Sequence, residues 1–200
     1  AQAGLFGLHV GDRVLQFSAL GFDASIWELL MALTSGAALC LPAVGAPLYG
    51  QELCAELRRC RATIATLPPS VLSGITEEAL PELQTIVVAG EACPAAVVAR
   101  WAPGRRFVNA YGPTEVTVCA TYHDCQPDPE SPPIGRPLPH VRVYVLDPGG
   151  QPVPIGVPGE LYIGGVGVAR LGVAPDRVVA VGGVPLHDDA AAVGSDAVVD

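Results

Sequence analysis

The residues best equipped for chemistry stand together at Asn109-Ala110-Tyr111-Gly112-Pro113-Thr114-Glu115. A short apolar run, Phe107-Val108, precedes them and another, residues 116–122, follows. That pattern predicts strand, tight turn, strand, with the polar groups gathered in the turn. Gly112-Pro113 predicts a sharp bend that leaves the backbone open to a ligand. Tyr111 offers a flat face to an aromatic ring, Thr114 a hydroxyl to a phosphate, and Glu115 a hard oxygen ligand of the kind Mg²⁺ takes. These are the parts that a nucleoside triphosphate needs, and the turn presents them in consecutive residues.

A second candidate is Asp23, in Phe22-Asp23-Ala24-Ser25-Ile26-Trp27-Glu28. Ser25 and Glu28 have the spacing of a capping box ahead of Leu29, Leu30 and Leu33, which predicts a helix start and puts Asp23 in the turn leading into it. Two readings follow. Asp23 is an extra cap and Trp27 a core anchor, or Asp23 is a buried counter-ion for an ammonium group, since a buried carboxylate is costly unless paired.

The elements that must position these groups alternate in type. Residues 13–17 and 36–41 read as strands, residues 42–50 as a Pro/Gly loop, and residues 52–61 as an amphipathic helix with Leu53, Leu57 and Cys60 on one face. Residues 62–67 form a buried strand stopped by Pro68-Pro69. Residues 85–89 are a continuous apolar run rich in β-branched residues, as in a central parallel strand, and Pro94 suits the first turn of the next helix. The fold class expected is therefore α/β: an open, mostly parallel sheet with flanking helices. Such sheets bind ligands beyond the carboxyl ends of their strands. Thr66, Ala89, Gly90, Glu91, Ala110 and Tyr111 all fall at such ends. After a linker at residues 126–133 the pattern changes. Val141, Val143 and Val145 alternate with Arg142 and Tyr144, Asp147-Pro148-Gly149-Gly150 is a turn, and residues 159–163 are the next strand. This predicts an antiparallel β module with barrel character. The organisation expected is residues 1–133 as part of a nucleotide- and substrate-binding core, residues 134–172 as the antiparallel subdomain, and residues 173–200 as a divergent tail without a functional reading.

The seven residues 109–115 closely resemble the Asn-Ala-Tyr-Gly-Pro-Thr-Glu motif of adenylate-forming, AMP-binding enzymes, in particular the amino-acid adenylation domains of nonribosomal peptide synthetases. Phe22-Asp23-Ala24-Ser25 followed by Trp27-Glu28 resembles a second motif of that family, and residues 159–170 a third, G-E-L-x-I-x-G-x-G-V-A-R. The resemblance covers about residues 3–172. It implies a reaction in which a carboxylate attacks the α-phosphorus of ATP, giving an acyl-adenylate and pyrophosphate, after which the acyl group passes to a phosphopantetheine thiol on a carrier domain. It implies that Tyr111 stacks on adenine, that Gly90 and Glu91 line the adenine slot, that Asn109, Ala110 and Gly112 shape the same crevice, that Thr114 contacts phosphate, and that Glu115 holds Mg²⁺. Thr114 and Glu115 are thus the catalytic candidates. The side-chain pocket it implies consists of Asp23, Ala24, Trp27, Thr66, Val87, Ala89, Ala110, Val118 and Cys119, with Asp23 clamping the substrate amine. Apart from Asp23 that set is small or apolar with one indole wall, so it points to phenylalanine or a close aromatic relative. Implied partners are the amino acid and the carrier and condensation domains of a parent synthetase.

Departures accompany the match. The family continues after its arginine with Gly-Tyr and then Tyr-Arg-Thr-Gly-Asp, whereas here Leu171-Gly172 leads into Ala/Val/Gly/Asp-rich sequence. All 11 basic residues are arginine. The family's phosphate-loop lysine and the lysine of its small C-terminal domain are therefore expected outside this chain, and the chain is expected to be a fragment inactive by itself. Two alternatives stand beside this reading: an acyl-CoA synthetase-like ligase, to whose fatty acid Asp23 offers no partner, and a non-catalytic nucleotide-binding remnant. Gly165-x-Gly167 makes no dinucleotide loop, because Arg170 holds the third glycine position.

Composition narrows the classes further. Half the residues are hydrophobic, enough for a sizeable core, and the formal charge is −9 with no Lys/Arg-rich run. Nucleic acid and anionic membrane surfaces are not expected as partners. No apolar run reaches the roughly 20 residues of a membrane span. The N-terminus has no leader pattern and reads as the interior of a longer protein. The six cysteines show no C-x-x-C spacing, which suits buried thiols of a reducing cytoplasm rather than a zinc site.

Overall fold

The computed structural model describes residues 2–43, 48–76, 80–169 and 179–181. Its strands are β1 (Arg13–Leu15), β2 (Ala38–Cys40), β3 (Ile64–Leu67), β4 (Thr85–Val88), β5 (Arg106–Tyr111), β6 (Thr121–Cys125), β7 (Arg136–Pro137), β8 (Val141–Leu146), β9 (Glu160–Gly165) and β10 (Val179–Val181). The helices are α1 (Gln2–Phe6), α2 (Asp23–Ser35), α3 (Gly50–Cys60), α4 (Pro69–Ser73) and α5 (Ala95–Trp101). A seven-stranded sheet has the order β2-β1-β3-β4-β5-β6-β7, and a separate three-stranded sheet the order β10-β9-β8. Pairing from β2 through β5 is parallel, β6 with β7 antiparallel, and the second sheet wholly antiparallel. This is the open, mostly parallel α/β class, followed by an antiparallel β module. The chain clusters into two compact units, residues 1–109 with 124–132, and residues 110–123 with 133–200.

In the first unit the central strands carry side chains buried on both faces. Ile64, Ala65, Thr66 and Leu67 of β3 are all buried, as are Ile86, Val87 and Val88 of β4, which is why these segments are continuous apolar runs rather than alternating ones. Leu53, Cys54 and Leu57 of α3 and Val97, Val98 and Trp101 of α5 join Leu15, Leu67, Ile86 and Phe107 in one core. Gly36, at φ 72°, stops α2 in the left-handed conformation, and the Ala37 N–H returns to the Ala32 carbonyl. That is the glycine stop that a side chain with a Cβ makes costly.

In the second unit Val143 of β8 and Leu161 and Ile163 of β9 are buried with Val116 and Ala120. Asp147 closes the turn that follows β8, its carboxylate accepting the N–H groups of Gly149 and Gln151, an Asx turn. Residues 179–181, within the divergent tail, pair with β9. The tail's other residues, and Arg170, lie outside the described residues.

Candidate functional site

Within the first unit the parallel register sets the predicted residues side by side at the carboxyl ends of the strands. Thr66 is directly opposite Val87, Val87 opposite Val108, and Val88 opposite Asn109. Ala89, Gly90 and Glu91 follow β4 immediately. Gly90 has φ 83°, and a Cβ built there meets no atom within 4 Å. Its conformation favours glycine and its surroundings are open, which suits the close approach of a ligand. Asn109 is buried, its amide reaching the Pro132 carbonyl. Glu91 is already engaged, accepting the Ser70 N–H at 3.1 Å and the Ser70 hydroxyl at 2.9 Å.

The entry to α2 differs from the sequence expectation. Asp23 is the first helical residue rather than part of the preceding turn, and the cap is the extended Phe22, which contributes no side-chain bond. The capping box does not form. The Ser25 hydroxyl donates to the Phe22 carbonyl, and Glu28 turns away from the helix start to accept the N–H groups of Phe17 and Ser18 at 3.1 Å and the Ser18 hydroxyl at 3.1 Å. The helix therefore begins three residues earlier than a Ser25 cap would set it. Asp23 and Ala24 are half-buried in its first turn, where the helix dipole favours a carboxylate. Trp27 is buried, its ring 5.7 Å from that of Phe6. Arg106 lies over the other ring of this pair, Phe6, and pairs with Asp124. The indole nitrogen of Trp27 and the hydroxyl of Thr66 are buried without a hydrogen-bond partner.

Glu28, which its spacing from Ser25 marks only as a capping residue, has a different environment in the fold. It is fully buried, and burial, against the bonds from Ser18, Phe17 and Gln16, pushes its carboxyl up to about 7. The available signal was its place on the buried stripe of α2, with Ser25, Trp27, Met31 and Ala32.

The second unit holds Ala110, Tyr111, Gly112, Thr114, Glu115, Val118 and Cys119. Asn109, Ala110 and Tyr111 prove to be strand rather than turn, and residues 116–120 are not a strand. A single 3₁₀ turn, Thr114–Val116, is followed by Thr117 at φ 64° and Val118 at φ 70°, and β6 begins only at Thr121. Left-handed conformations at two β-branched residues in succession are costly and break any extended run. They fold residues 118–120 back on the end of β5, where the Ala120 N–H reaches the Tyr111 carbonyl at 2.8 Å. Gly112 is required for that return. A Cβ there would lie 2.7 Å from both Ala120 N and Val118 O, so this glycine serves a close backbone approach and not an opening for a ligand. The turn brings Ala110 and Cys119 onto the same short stretch, both buried, and burial pushes the Cys119 thiol up to about 12.

Tyr111 is half-buried against Val116 and Ala120, its hydroxyl unpartnered, and burial raises its phenol. Thr114 and Glu115 are exposed. The backbone beneath them is held by the glycine-rich third motif: the Ala169 N–H donates to the Glu115 carbonyl at 2.7 Å and the Thr117 hydroxyl to the Gly167 carbonyl at 2.6 Å. A Cβ at Gly167 would press on the Val116 carbonyl at 3.1 Å. Fixed backbone with exposed hydroxyl and carboxylate suits phosphate and Mg²⁺, which takes one or two protein carboxylates and completes its shell with phosphate and water. Among the described residues no group of three or more His, Cys, Asp or Glu side chains could form an all-protein metal cage, and no helix is long and apolar enough to cross a membrane.

Residues 1–171 match the family described as AMP-binding enzyme. The probable nonribosomal peptide synthetase CymA of Salinispora arenicola is 56% identical over 164 residues, 82% of this chain and 2% of CymA. The adenylation domain AlmE of Vibrio cholerae, solved with glycyl-adenosine-5'-phosphate, superposes with a TM-score of 0.74 at 28% identity, covering 84% of this chain and 34% of that one. The nonribosomal peptide synthetase FmoA3 in its AMPPNP-bound form gives 0.75 at 28%, covering 84% and 20%. The chain thus spans a small part of the length of its relatives. It belongs to the AMP-binding enzyme family. Within that family it is part of an adenylation domain of the kind found in nonribosomal peptide synthetases.

Proposed function

We propose that the chain is the core segment of an enzyme that activates an amino acid as its aminoacyl-adenylate at the expense of ATP, for transfer to the phosphopantetheine thiol of a carrier domain. The observation that carries this reading is the loop at residues 114–117, anchored from behind by Gly167 and Ala169 while the Thr114 hydroxyl and the Glu115 carboxylate remain exposed. Catalysis of such a displacement is largely positioning and electrostatic stabilisation, so a rigid loop with free polar ends is the needed device. Tyr111 stacks on adenine, Gly90 admits it, and Asn109, Ala110 and Gly112 shape its surroundings. Thr114 binds phosphate. Mg²⁺, when held by Glu115, supplies neutralisation of the phosphate charge. Asp23 at the start of α2 pairs with the substrate ammonium. The family resemblance assigns Ala24, Trp27, Thr66, Val87, Ala89, Ala110, Val118 and Cys119 to the side-chain pocket. Their small and apolar character, with one indole, supports phenylalanine or a close aromatic relative.

The test is ATP–pyrophosphate exchange by a longer protein that carries this segment. Exchange with phenylalanine is expected. Exchange with leucine but not phenylalanine overturns the aromatic assignment. Equal exchange with 3-phenylpropanoate, which lacks the amine, overturns the role of Asp23 and favours the acyl ligase.

A further inference from the structure

We propose that Glu28 is a positioning residue for the amine end of the substrate pocket, locking the first turns of α2, which carry Asp23, Ala24 and Trp27, to the chain that leaves β1. This rests on the function proposed above.

The Glu28 carboxylate lies at no solvent exposure. Its oxygens accept the Phe17 N–H at 3.1 Å, the Ser18 N–H at 3.2 and 3.1 Å, and the Ser18 hydroxyl at 3.1 Å. Residues 16–18 continue directly from the carboxyl end of β1, the side of an open parallel sheet at which ligands are held. The other end of the clamp is the helix. Ala24 and Glu28 are four residues apart and share one edge of it, while Trp27 is the neighbour of Glu28. One carboxylate thus couples a strand-end loop to three residues of the candidate pocket.

A purely packing role does not account for the choice of residue. α1, β1 and β2 pack against α2. Their titratable or charged side chains are Arg13 and Cys40, and neither bonds to Glu28. A buried carboxylate without a cation is costly, and an apolar side chain of similar volume would pack at less cost. What an apolar residue cannot do is receive two main-chain N–H groups and a hydroxyl from a loop with no other claim on them. Clamping the loop at residues 17–18 is the property that the carboxylate adds.

The experiment uses the full chain and two probes, phenylalanyl-sulfamoyladenosine and the same compound without the amine. In Glu28→Gln the amide of the new side chain faces donors and the clamp fails. Amide hydrogen exchange at residues 17–18 and at residues 25–27 should rise together, by roughly tenfold or more. The preference for the amine-bearing probe should fall by about tenfold, with affinity for the amine-free probe changed by less than about twofold. Ser18→Ala, which removes one of the donors and leaves the fold's backbone bonds, should show the same pattern at smaller size, and it serves if the glutamine variant does not fold. Equal weakening of both probes would reduce Glu28 to a structural residue and overturn the proposal. Faster exchange at residues 17–18 with residues 25–27 unchanged would also overturn it, even if the wild-type chain binds neither probe. Failure of the wild-type chain to bind either probe would by itself count against the proposed function.

Discussion

The Glu91 carboxylate bridges to Ser70, taking its backbone N–H at 3.1 Å on one oxygen and its hydroxyl at 2.9 Å on the other. The bridge joins the segment after β4 to the first turn of α4, which follows β3. In the functional reading Glu91 lines the adenine slot, and this geometry makes it a brace for that slot rather than a free ligand. Glu91→Ala removes the acceptor of an exposed helix-start N–H, a loss of about 1 kcal/mol. Binding of an AMP-based probe is expected to weaken by a few-fold, with the preference for an amine unchanged. Titration calorimetry with the two sulfamoyladenosines separates those effects.

Asp23 should behave in the opposite way. In Asp23→Asn the first turn of α2 keeps its shape and loses its charge. Because Asp23 is only half-buried, the loss in binding an ammonium group is set at about 1–3 kcal/mol, ten- to hundredfold, below the figure for a fully buried pair. The amine-free probe should bind as before. A uniform loss on both probes would mean that Asp23 is a structural cap.

The Trp27 indole depends on what stands behind it. Phe6 is buried, tilted at 36° to Trp27, and overlain by Arg106, whose guanidinium also donates to the Leu5 carbonyl. Phe6→Ala is expected to cost about 3 kcal/mol in urea unfolding and to shift tryptophan emission to the red. Trp27→Phe in the same background identifies which of the two indoles reports.

How much of this was legible in the chain depends on how far apart the interacting residues are. The buried run at residues 85–89, the helix over residues 52–61 and the Asp147 turn are set by local pattern, and they form where the pattern places them. Ser25 and Glu28 also have a clear local pattern, and it misleads. Glu28 has better donors ten residues upstream, in a loop that only the tertiary fold brings to it. Gly112 looks like a ligand-facing glycine until residues 118–120 return against it, and that return requires left-handed Thr117 and Val118, a conformation that no propensity favours in β-branched residues. The candidate pocket residues could be named because a family resemblance marks them. The bracing residues Phe6, Ser70 and Glu28 could not, since each acts through a contact distant in sequence.

Gly112 gives a direct test of that last distinction. If its hydrogen only made room for a ligand, Gly112→Ala would leave stability intact and weaken nucleotide binding. With backbone atoms 2.7–2.8 Å from the new methyl carbon, the return of residues 118–120 must shift, and overpacking of this kind costs about 1–3 kcal/mol. Thermal unfolding of the variant without any ligand is expected to show that loss.

The stability of the chain should also carry the titration of Glu28. Its carboxyl titrates at about 7 in the fold against 4.5 for an ordinary glutamate, chiefly because burial penalises the charged form. Between those two values the folded state holds more protons than the unfolded state, so stability falls as pH rises through the window and levels off above about 7. The full swing is on the order of 3 kcal/mol. Other groups titrate in the same range, so the useful quantity is the difference between wild type and Glu28→Gln, which has no proton to exchange there. Urea midpoints taken at intervals from about pH 4.5 to 8 should show wild type losing ground to the glutamine variant across the window, with no further change above it. A difference independent of pH would mean that Glu28 titrates as an ordinary carboxylate and that its burial is relieved by water reaching the Ser18 loop.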